Sequence, residues 1–342
     1  MSTLKDVARL AGVSPSTVSR VVNGGSTGAA SEETVRRIWD AVRESGYSVN
    51  ENARSLRMKE EGGVKETLAI DCVFARDLDS FIDPFFMVLM QIIEADAFKR
   101  GYRLRYQYPI GDLKSVPLPD AKKKAAAIIL GRTDKAHLEL LKGTYRHLVN
   151  VSLQDKDLDV DSVICSGYDA MVKGLEYLWS LGHRKICYVG ETVDEQRYDA
   201  YHDVMQKYAG SGCEELVIEV PFNSAHSYEA VNRALDEGMK FTAVFCSNDI
   251  SSVGVYRALK KHRLSVPRDV SVIGLNDLEY VRYLDPMLTS VRVPMEELGR
   301  HAASLLIDRI ENGHSLPVKL MIPSELVTRE SCAKVRKPTA KK

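Results

Sequence analysis

The sequence predicts a small all-α domain at the N-terminus, followed by a two-lobed α/β domain built on parallel sheets. Up to about residue 49, apolar residues recur at helical spacing. From Thr67 onward, continuous apolar runs of strand length alternate with amphipathic helical patterns, which is typical of parallel sheets covered on both faces. Roughly six to nine such runs exceed one ordinary sheet, so we expect two lobes.

Length and composition fit a soluble protein with more than one domain. A chain of 342 residues exceeds a single compact core. Lys plus Arg equals Asp plus Glu, 47 each, so the net charge indicates no partner and a nucleic-acid surface would have to be local. The first residues, MSTLKDVARL, lack the apolar segment of a signal peptide, and no stretch approaches the roughly 18 apolar residues of a membrane span. We therefore expect a cytoplasmic protein with no membrane partner.

The chemistry-bearing residues give no signal for catalysis. The six cysteines form no CxxC pair and lie mostly in apolar runs, as expected of buried free thiols. The eight histidines form no HExxH-type set. The chain also contains no GxSxG elbow, no GxxxxGK[ST] loop and no GxGxxG after a strand. We expect no enzyme, no cofactor and no metal site.

Three helices are predicted within residues 1–49. The first, TLKDVARLAG, ends at Gly12. The second starts with Ser14 as its N-cap and Pro15 in its first turn. The third spans roughly residues 31–45. From periodicity alone, a DNA-reading helix-turn-helix and an ordinary capped helical bundle are equally good interpretations.

The polar residues of the second helix suit contact with DNA. In a helix-turn-helix, the N-terminal residues of the second helix meet base edges in the major groove. Short hydroxyl side chains such as Ser16 and Ser19 suit phosphates, whereas Arg20 suits guanine.

The run TLKDVARLAGVSPSTVSRVVN, followed by Y-x-x-N-x-x-A-R-x-L-R, resembles the start of a LacI/GalR-family transcriptional regulator. The resemblance continues over nearly the whole chain with DPFF, LGHRKICYVG, SNDISSVGVYRAL, VPRDVSVIGLND and ELVTRES. It implies a repressor that binds a palindromic operator on double-stranded DNA as a homodimer, controlled by a small-molecule effector. It also implies an effector domain similar to type I periplasmic sugar-binding proteins. A free sugar-binding protein without a regulatory role is the alternative, but it would not need the first 58 residues.

The resemblance and the patterns together divide the chain into four parts. These are a helix-turn-helix domain (1–49), a hinge helix with linker (50–66), an effector-binding and dimerisation domain (67–332), and a basic tail expected to be disordered (333–342). Within the effector domain, the chain is expected to cross between the lobes near residues 163, 291 and 322.

The DNA-contact positions implied by the family fall in two groups. In the helix-turn-helix they are Thr3, Ser14, Pro15, Ser16, Thr17, Ser19, Arg20 and Asn23; in the hinge they are Asn50, Ala53, Arg54, Leu56 and Arg57. Leu56 matches the family's lever, which wedges into the minor groove and kinks the operator. Pro15 has no polar side chain, so we expect it to read DNA by apolar contact or shape. The loop at 24–30 is longer and richer in glycine than the family pattern.

Nine residues are predicted to line an effector cleft between the lobes, near the carboxyl ends of the strands: Phe74, Asp83, Phe86, Arg132, Asn150, Arg197, Phe222, Asn248 and Asn276. Arg197 matches the family arginine that bonds ligand hydroxyl or carboxylate groups. Asn276 stands where the family commonly has an acid, and its amide both donates and accepts. The first five of the nine are equally well interpreted as loop or core residues.

The effector itself is indicated only by a finer resemblance. YPIGDL and GLNDLEYVRY are similar to the branch that contains the evolved β-galactosidase repressor. This similarity favours a galactoside or a related sugar.

Overall fold

The protein was analysed as a computed structural model, which describes residues 4–15, 17–18, 32–45, 69–75, 83–115, 126–208 and 213–335. The chain divides into two compact units, Met1–Glu66 and Thr67–Lys342.

The first unit contains helices α1 (Leu4–Ala11) and α2 (Glu32–Ser45). Helix α1 ends at Gly12, whose φ of +65° lets the Val13 amide donate to the Ala8 carbonyl at 3.0 Å. A small apolar core joins the helices and consists of Val7, Ala8, Ala11, Val18, Ile38 and Ala41. The predicted helical stop at Gly12 is confirmed.

The first lobe of the second unit is a six-stranded parallel sheet in the order β11-β5-β4-β3-β1-β2. In chain order its strands are β1 (Ala69–Phe74), β2 (Arg103–Pro109), β3 (Ala126–Leu130), β4 (His147–Ser152), β5 (Asp161–Ile164) and β11 (Lys319–Met321). Alternate residues of the central strands face opposite sides, so both faces need cover. Helices α3 (Pro84–Lys99) and α9 (Met295–Glu311) cover one face, and α4 (Lys135–Thr144) covers the other.

The second lobe repeats this strand order as β12-β10-β9-β8-β6-β7. Its strands are β6 (Ile186–Gly190), β7 (Leu216–Glu219), β8 (Ala243–Cys246), β9 (Ser271–Asn276), β10 (Thr289–Arg292) and β12 (Glu325–Val327). One face is covered by α5 (Gly167–Ser180) and α6 (Gln196–Lys207), the other by α7 (Ser224–Asp236) and α8 (Asp249–Lys261). Strand β12 runs antiparallel to β10, unlike its counterpart β11 in the first lobe.

The chain passes between the lobes three times. It crosses after β5, where α5 begins the second lobe, and returns after β10, where α9 packs on the first lobe. It crosses again between β11 and β12. Because three connections join two similar lobes, the cleft between them is bounded on one side by covalent links.

Three expectations are corrected by the structure. Within the described residues, the two sheets contain twelve strands, more than the apolar runs indicate, because edge strands of three or four residues leave no long apolar run. The prolines Pro117 and Pro119 in PIGDLKSVPLPDAKKK predict a loop, but Ile110–Ser115 within this stretch form a 3₁₀ helix. The tail predicted to be disordered from residue 333 is hydrogen-bonded up to Val335, whose amide donates to the Leu181 carbonyl at 3.0 Å.

Among the described helices, none is both long and apolar enough to cross a membrane.

Candidate effector-binding site

A cavity of about 790 Å³ opens between the two lobes. Its walls are the loops and helix N-termini that follow the carboxyl ends of the strands, as is typical of open α/β sheets. Seven of the nine residues predicted for the cleft line this cavity: Asp83, Phe86, Arg132, Arg197, Phe222, Asn248 and Asn276.

Phe74 and Asn150 do not line the cavity, so their prediction as lining residues is wrong. Phe74 is fully buried and packs edge-on against Phe86, with 6.3 Å between ring centroids. The Asn150 side chain is buried and accepts a hydrogen bond from the Thr133 hydroxyl at 3.2 Å. Both residues therefore support the cavity wall from behind it.

Four helices present their capped N-termini to the cavity. Asp83 caps α3 by accepting from the Phe85 amide at 2.9 Å, and Asn248 caps α8 by accepting from the Ser251 amide at 3.1 Å. Asn223 caps α7 and Glu195 caps α6 in the same way. The cap side chains are held rigidly, because each satisfies an amide that the helix cannot.

Arg197 is the central cation of the cavity and is already paired. Its Nε and Nη2 donate to the two carboxylate oxygens of Glu195 at 2.6 and 2.8 Å, and its Nη1 donates to the Ser247 carbonyl at 2.8 Å. The guanidinium also lies 4.5 Å from the centroid of the Phe222 ring. Burial opposes the charge, but the Glu195 carboxylate outweighs it and raises the pKa of Arg197, so the arginine stays protonated.

Arg132 joins the two lobes across the cleft. It extends from the end of β3 in the first lobe and donates to Glu191 at 2.9 Å and to Glu195 at 3.4 Å, both in the second lobe. The same guanidinium donates to the backbone carbonyls of Val193 and Asp194. Glu195 thus accepts from both arginines that line the cavity.

Two acceptor atoms at the cavity accept no hydrogen bond from the described residues. The Gln154 side chain donates through Nε2 to the Asp194 carbonyl at 2.6 Å, but its buried Oε1 has no partner there. The buried Oδ1 of Asn276 likewise has none. Because a buried acceptor without a donor is costly, both atoms suit a ligand that donates hydrogen bonds.

The position of Asn276 depends on an unusual backbone. Asn276, the last residue of β9, has a φ of +122°, and Asp277 directly after it has a φ of +58°. Residues other than glycine rarely adopt such backbone angles. Two contacts fix this bend: the Asp277 amide donates to the Ser290 hydroxyl at 3.1 Å, and the Leu278 amide donates to Asp249 at 2.8 Å. The bend directs Asn276 toward the cavity.

Two carboxyl groups near the cavity have raised pKa values. Burial raises the pKa of Asp83, although the Phe85 amide and the Arg197 charge oppose it. Burial also raises the pKa of Asp249 to about 7, although hydrogen bonds from Leu278 and Ser290 oppose it.

The described residues contain no group of His, Cys, Asp and Glu side chains able to hold a metal ion.

Sequence reasoning missed several polar residues of the cavity, among them Gln154, Glu191 and Glu195. A signal for Glu195 was present, because an acidic residue two positions before a cleft arginine is a natural partner for its charge. Gln154 and Glu191 follow the strands β4 and β6, where lining residues are expected.

At the helix-turn-helix, the described residues include three of the predicted DNA contacts. Ser14 is exposed, and its hydroxyl accepts from the Thr17 amide at 3.2 Å, which confirms it as the N-cap. Pro15, also exposed, is the first helical residue. Outside the described residues lie Thr3, Ser16, Ser19, Arg20, Asn23, Asn50, Ala53, Arg54, Leu56 and Arg57.

Comparison with known proteins places both units in established groups. Residues 3–50 match bacterial regulatory proteins of the lacI family, and residues 175–332 match the periplasmic binding protein-like domain. The HTH-type transcriptional repressor PurR of Escherichia coli O139:H28 is 28% identical, over 97% of this chain and 97% of its own. The same repressor from Glaesserella parasuis is 29% identical, over 97% and 98%.

Solved structures agree with this architecture. A complex of the transcriptional regulator CelR with cellobiose has a TM-score of 0.67 and 25% identity, covering 97% of this chain and 100% of its own. A Lac repressor dimer bound to operator and the anti-inducer ONPF has a TM-score of 0.66 and 22% identity, covering 97% and 99%, a likeness of fold.

The chain is thus a DNA-binding transcriptional regulator with a helix-turn-helix unit and a ligand-binding unit of the periplasmic type. It belongs to the LacI/GalR family. Its relatives are transcriptional regulators and not enzymes.

Proposed function

We propose that this protein is a repressor that binds a palindromic operator as a homodimer and is controlled by a sugar, such as a galactoside, in the inter-lobe cavity. The observation that carries the proposal is the cavity itself. It combines two aromatic residues, Phe86 and Phe222, with buried acceptor atoms on Gln154 and Asn276. Apolar ring faces and hydroxyl donors are the two features of a sugar that such a lining recognises.

The proposed coupling runs through the lobes. Since Arg132 and Gln154 of the first lobe bond to the second, an effector between them favours one angle between the lobes over another. The hinge at 50–66 would transmit this angle to the DNA-binding unit. Such coupling is allosteric only if the effector binds the two states with different affinity.

Dimerisation follows from the DNA geometry. One recognition helix reads one half-site, so a palindrome needs two copies of the chain. The PurR and CelR relatives are regulators, and the free sugar-binding alternative does not account for the match to the lacI family at residues 3–50.

The direct test is a mobility-shift assay of the full chain on a library of palindromic DNA, with and without a panel of galactosides and other sugars. We expect specific binding to one palindrome class and a change in affinity with one sugar group. Binding to no palindrome would overturn the regulatory proposal, and unchanged DNA binding with every sugar would overturn the sugar control.

The proposed lever is tested in the same assay. Leu56→Ala is expected to lower operator affinity about ten-fold or more, and to leave affinity for random DNA nearly unchanged, because the wedge operates only on the kinked site. Leu316→Ala, at a leucine that is 75% exposed in the other unit, serves as the control. Equal losses on operator and random DNA would contradict the role of Leu56.

A further inference from the structure

Both arginines of the cavity are paired with carboxylates of the protein. Its lining contains two arginines, Arg132 and Arg197, and three carboxylates, Asp83, Glu191 and Glu195. Glu195 accepts from both arginines, and Glu191 accepts from Arg132. An anionic ligand that approached either guanidinium would therefore have to displace a protein carboxylate.

The pairing of Arg197 is strong as well as close. Its guanidinium meets Glu195 through two parallel hydrogen bonds, which is the favoured geometry for an arginine and a carboxylate. The arginine is 8% exposed and the glutamate 3% exposed, so water screens the pair only weakly. Three of the five N–H groups of the guanidinium donate to Glu195 and Ser247.

The helix N-termini do not restore a preference for anions. Uncapped helix N-termini attract negative charge. Here the N-termini of α3 and α6 are capped by the carboxylates of Asp83 and Glu195, and those of α7 and α8 by the amides of Asn223 and Asn248. Each cap side chain accepts from one or two of the first-turn amides, and these amides are no longer available to a phosphate.

A groove next to the cavity is also acidic. A second groove of about 480 Å³ shares Arg132, Glu191 and Pro221 with the cavity and adds Asp194 and Glu219. Of these two acids, Asp194 pairs with Lys156 at 2.8 Å.

The atoms without partners have the opposite preference. Gln154 Oε1 in the first lobe and Asn276 Oδ1 in the second are buried acceptors with no donor among the described residues. A ligand hydroxyl group can donate to either atom. The ionised oxygen of a phosphate or carboxylate can only accept, so either atom repels it.

From these observations we infer that the cavity selects an uncharged, polyhydroxylated effector and excludes its phosphorylated and carboxylated analogues, and that Glu195 sets this selectivity. The inference rests on the proposal that the effector is a sugar. It assigns to Glu195 a function that sequence reasoning did not find. The Glu195 carboxylate neutralises the charge of Arg197, so that the guanidinium favours ligand hydroxyl groups over anions. Loss of its charge would leave Arg197 without a carboxylate partner and Arg132 with Glu191 alone, so that an anion could approach Arg197.

The test is calorimetric and thermal titration of the full-length protein with matched sugars: galactose, galactose 6-phosphate and galacturonate, and the corresponding glucose and ribose sets. Where a set binds, the neutral member is expected to bind about ten-fold more tightly or better. Tighter binding of any phosphorylated or carboxylated member overturns the inference.

Inorganic phosphate tests the charge argument independently of the sugar. Phosphate stabilises most proteins by exclusion from their surface, so the readout is the excess rise in melting temperature over a control. Glu195→Gln is expected to show such an excess and the wild type none. Glu214→Gln, an exposed glutamate that pairs with Lys185 away from the cavity, is the matched control.

Each outcome decides one statement. An excess rise in the wild type overturns the exclusion of anions, and no excess in a folded Glu195→Gln overturns the role of Glu195. If that variant does not fold, Glu191→Gln, which removes the shorter of the two carboxylate contacts of Arg132, takes its place, and a missing excess there overturns neutralisation by the carboxylates. If no sugar binds the wild type, the sugar proposal fails, while the phosphate results still decide the charge selectivity.

Discussion

The two lobes share one strand order and differ in how they bury charge. The first lobe buries Asp161 beside a cation: the Arg309 guanidinium bonds its carboxylate, and the His314 ring bonds it as well. Lobe two buries Asp249 against neutral donors, the Leu278 amide at 2.8 Å and the Ser290 hydroxyl at 2.7 Å. The same architecture thus tolerates a buried carboxylate in two electrostatically opposite settings.

The difference follows the position of each aspartate relative to the cavity. Asp161 ties β5 to the end of α9 and to the lead into β11, on the structural side of its lobe. Asp249 begins α8 directly after Asn248 and supports the bend at Asn276, which lines the cavity. Asp161 is therefore compensated by a cation away from the cavity, whereas Asp249 is not, although its neighbour Asp277 pairs with Arg292 and Arg329.

The largest effect is expected when the compensated aspartate is removed. Asp161→Asn should lower the free energy of unfolding by about 3–5 kcal/mol, because it leaves the Arg309 charge partly buried and without its partner. Urea denaturation measures the loss. Asp159→Asn, two residues away and largely exposed, is the control and should unfold like the wild type. Equal losses in the two variants would show that the buried pair of Asp161 and Arg309 stabilises the first lobe no more than an exposed aspartate does.

The pH dependence of stability should reveal the uncompensated aspartate. Because the pKa of Asp249 is raised to about 7, the folded protein holds this proton more tightly than the unfolded chain. Its contribution to stability is therefore greatest near pH 4 and falls as the pH rises to about 7. From pH 5 to pH 7.5 we expect a loss of about 2–3 kcal/mol from this group.

Comparison of the wild type with Asp249→Asn isolates that contribution. The variant should show a flatter pH dependence over the same range, measured by urea denaturation at several pH values. Asp161 provides the opposite sign: burial acts to raise its pKa, but Arg309, Val318 and His314 outweigh burial and lower it. The stabilisation by Asp161 is present above the ordinary aspartate pKa and is lost as the pH falls from that value through the lowered pKa of the folded protein. Parallel pH profiles for wild type and Asp249→Asn would contradict the assignment.

A smaller effect is expected from the packing of helices in the second lobe. In α8, a Cβ added at Gly254 would lie 2.1 Å from the Ser224 carbonyl and 2.7 Å from the Tyr228 amide, both backbone atoms of α7 or its start. Gly254→Ala should therefore force α7 and α8 apart and cost about 1–3 kcal/mol. Gly143→Ala in α4 of the first lobe meets nothing within 4 Å and should be neutral or slightly stabilising. Calorimetric melting compares them, and a neutral Gly254→Ala would show that the helices can separate freely.

Much of this architecture could be predicted from the sequence, because continuous apolar strands and periodic helices report burial directly. Asn248 was predicted from the family resemblance and Asp83 from its place at the start of a helix, and both cap helices that face the cavity. Phe74 was misplaced because a strand-end aromatic faces the core or the cleft according to the register, which depends on neighbouring strands. The network around Glu195 was missed because it joins residues of different lobes, and spacing along the chain does not record such contacts.

The smallest effect concerns the contacts that join the lobes, where exposure decides the outcome. Arg132 and Lys156 both reach from the first lobe to the second, but the Arg132 side chain is 14% exposed and the Asp194 partner of Lys156 is 58% exposed. Lys156→Gln should change the free energy of unfolding by less than about 1 kcal/mol, and raised salt should abolish the change. Arg132→Gln should cost more and remain salt-insensitive, because its partners Glu191 and Glu195 are shielded from water. Urea denaturation at low and high salt distinguishes the two, and a loss at Lys156 that persists in high salt would mean that the exposed contact, not the buried arginine, holds the lobes together.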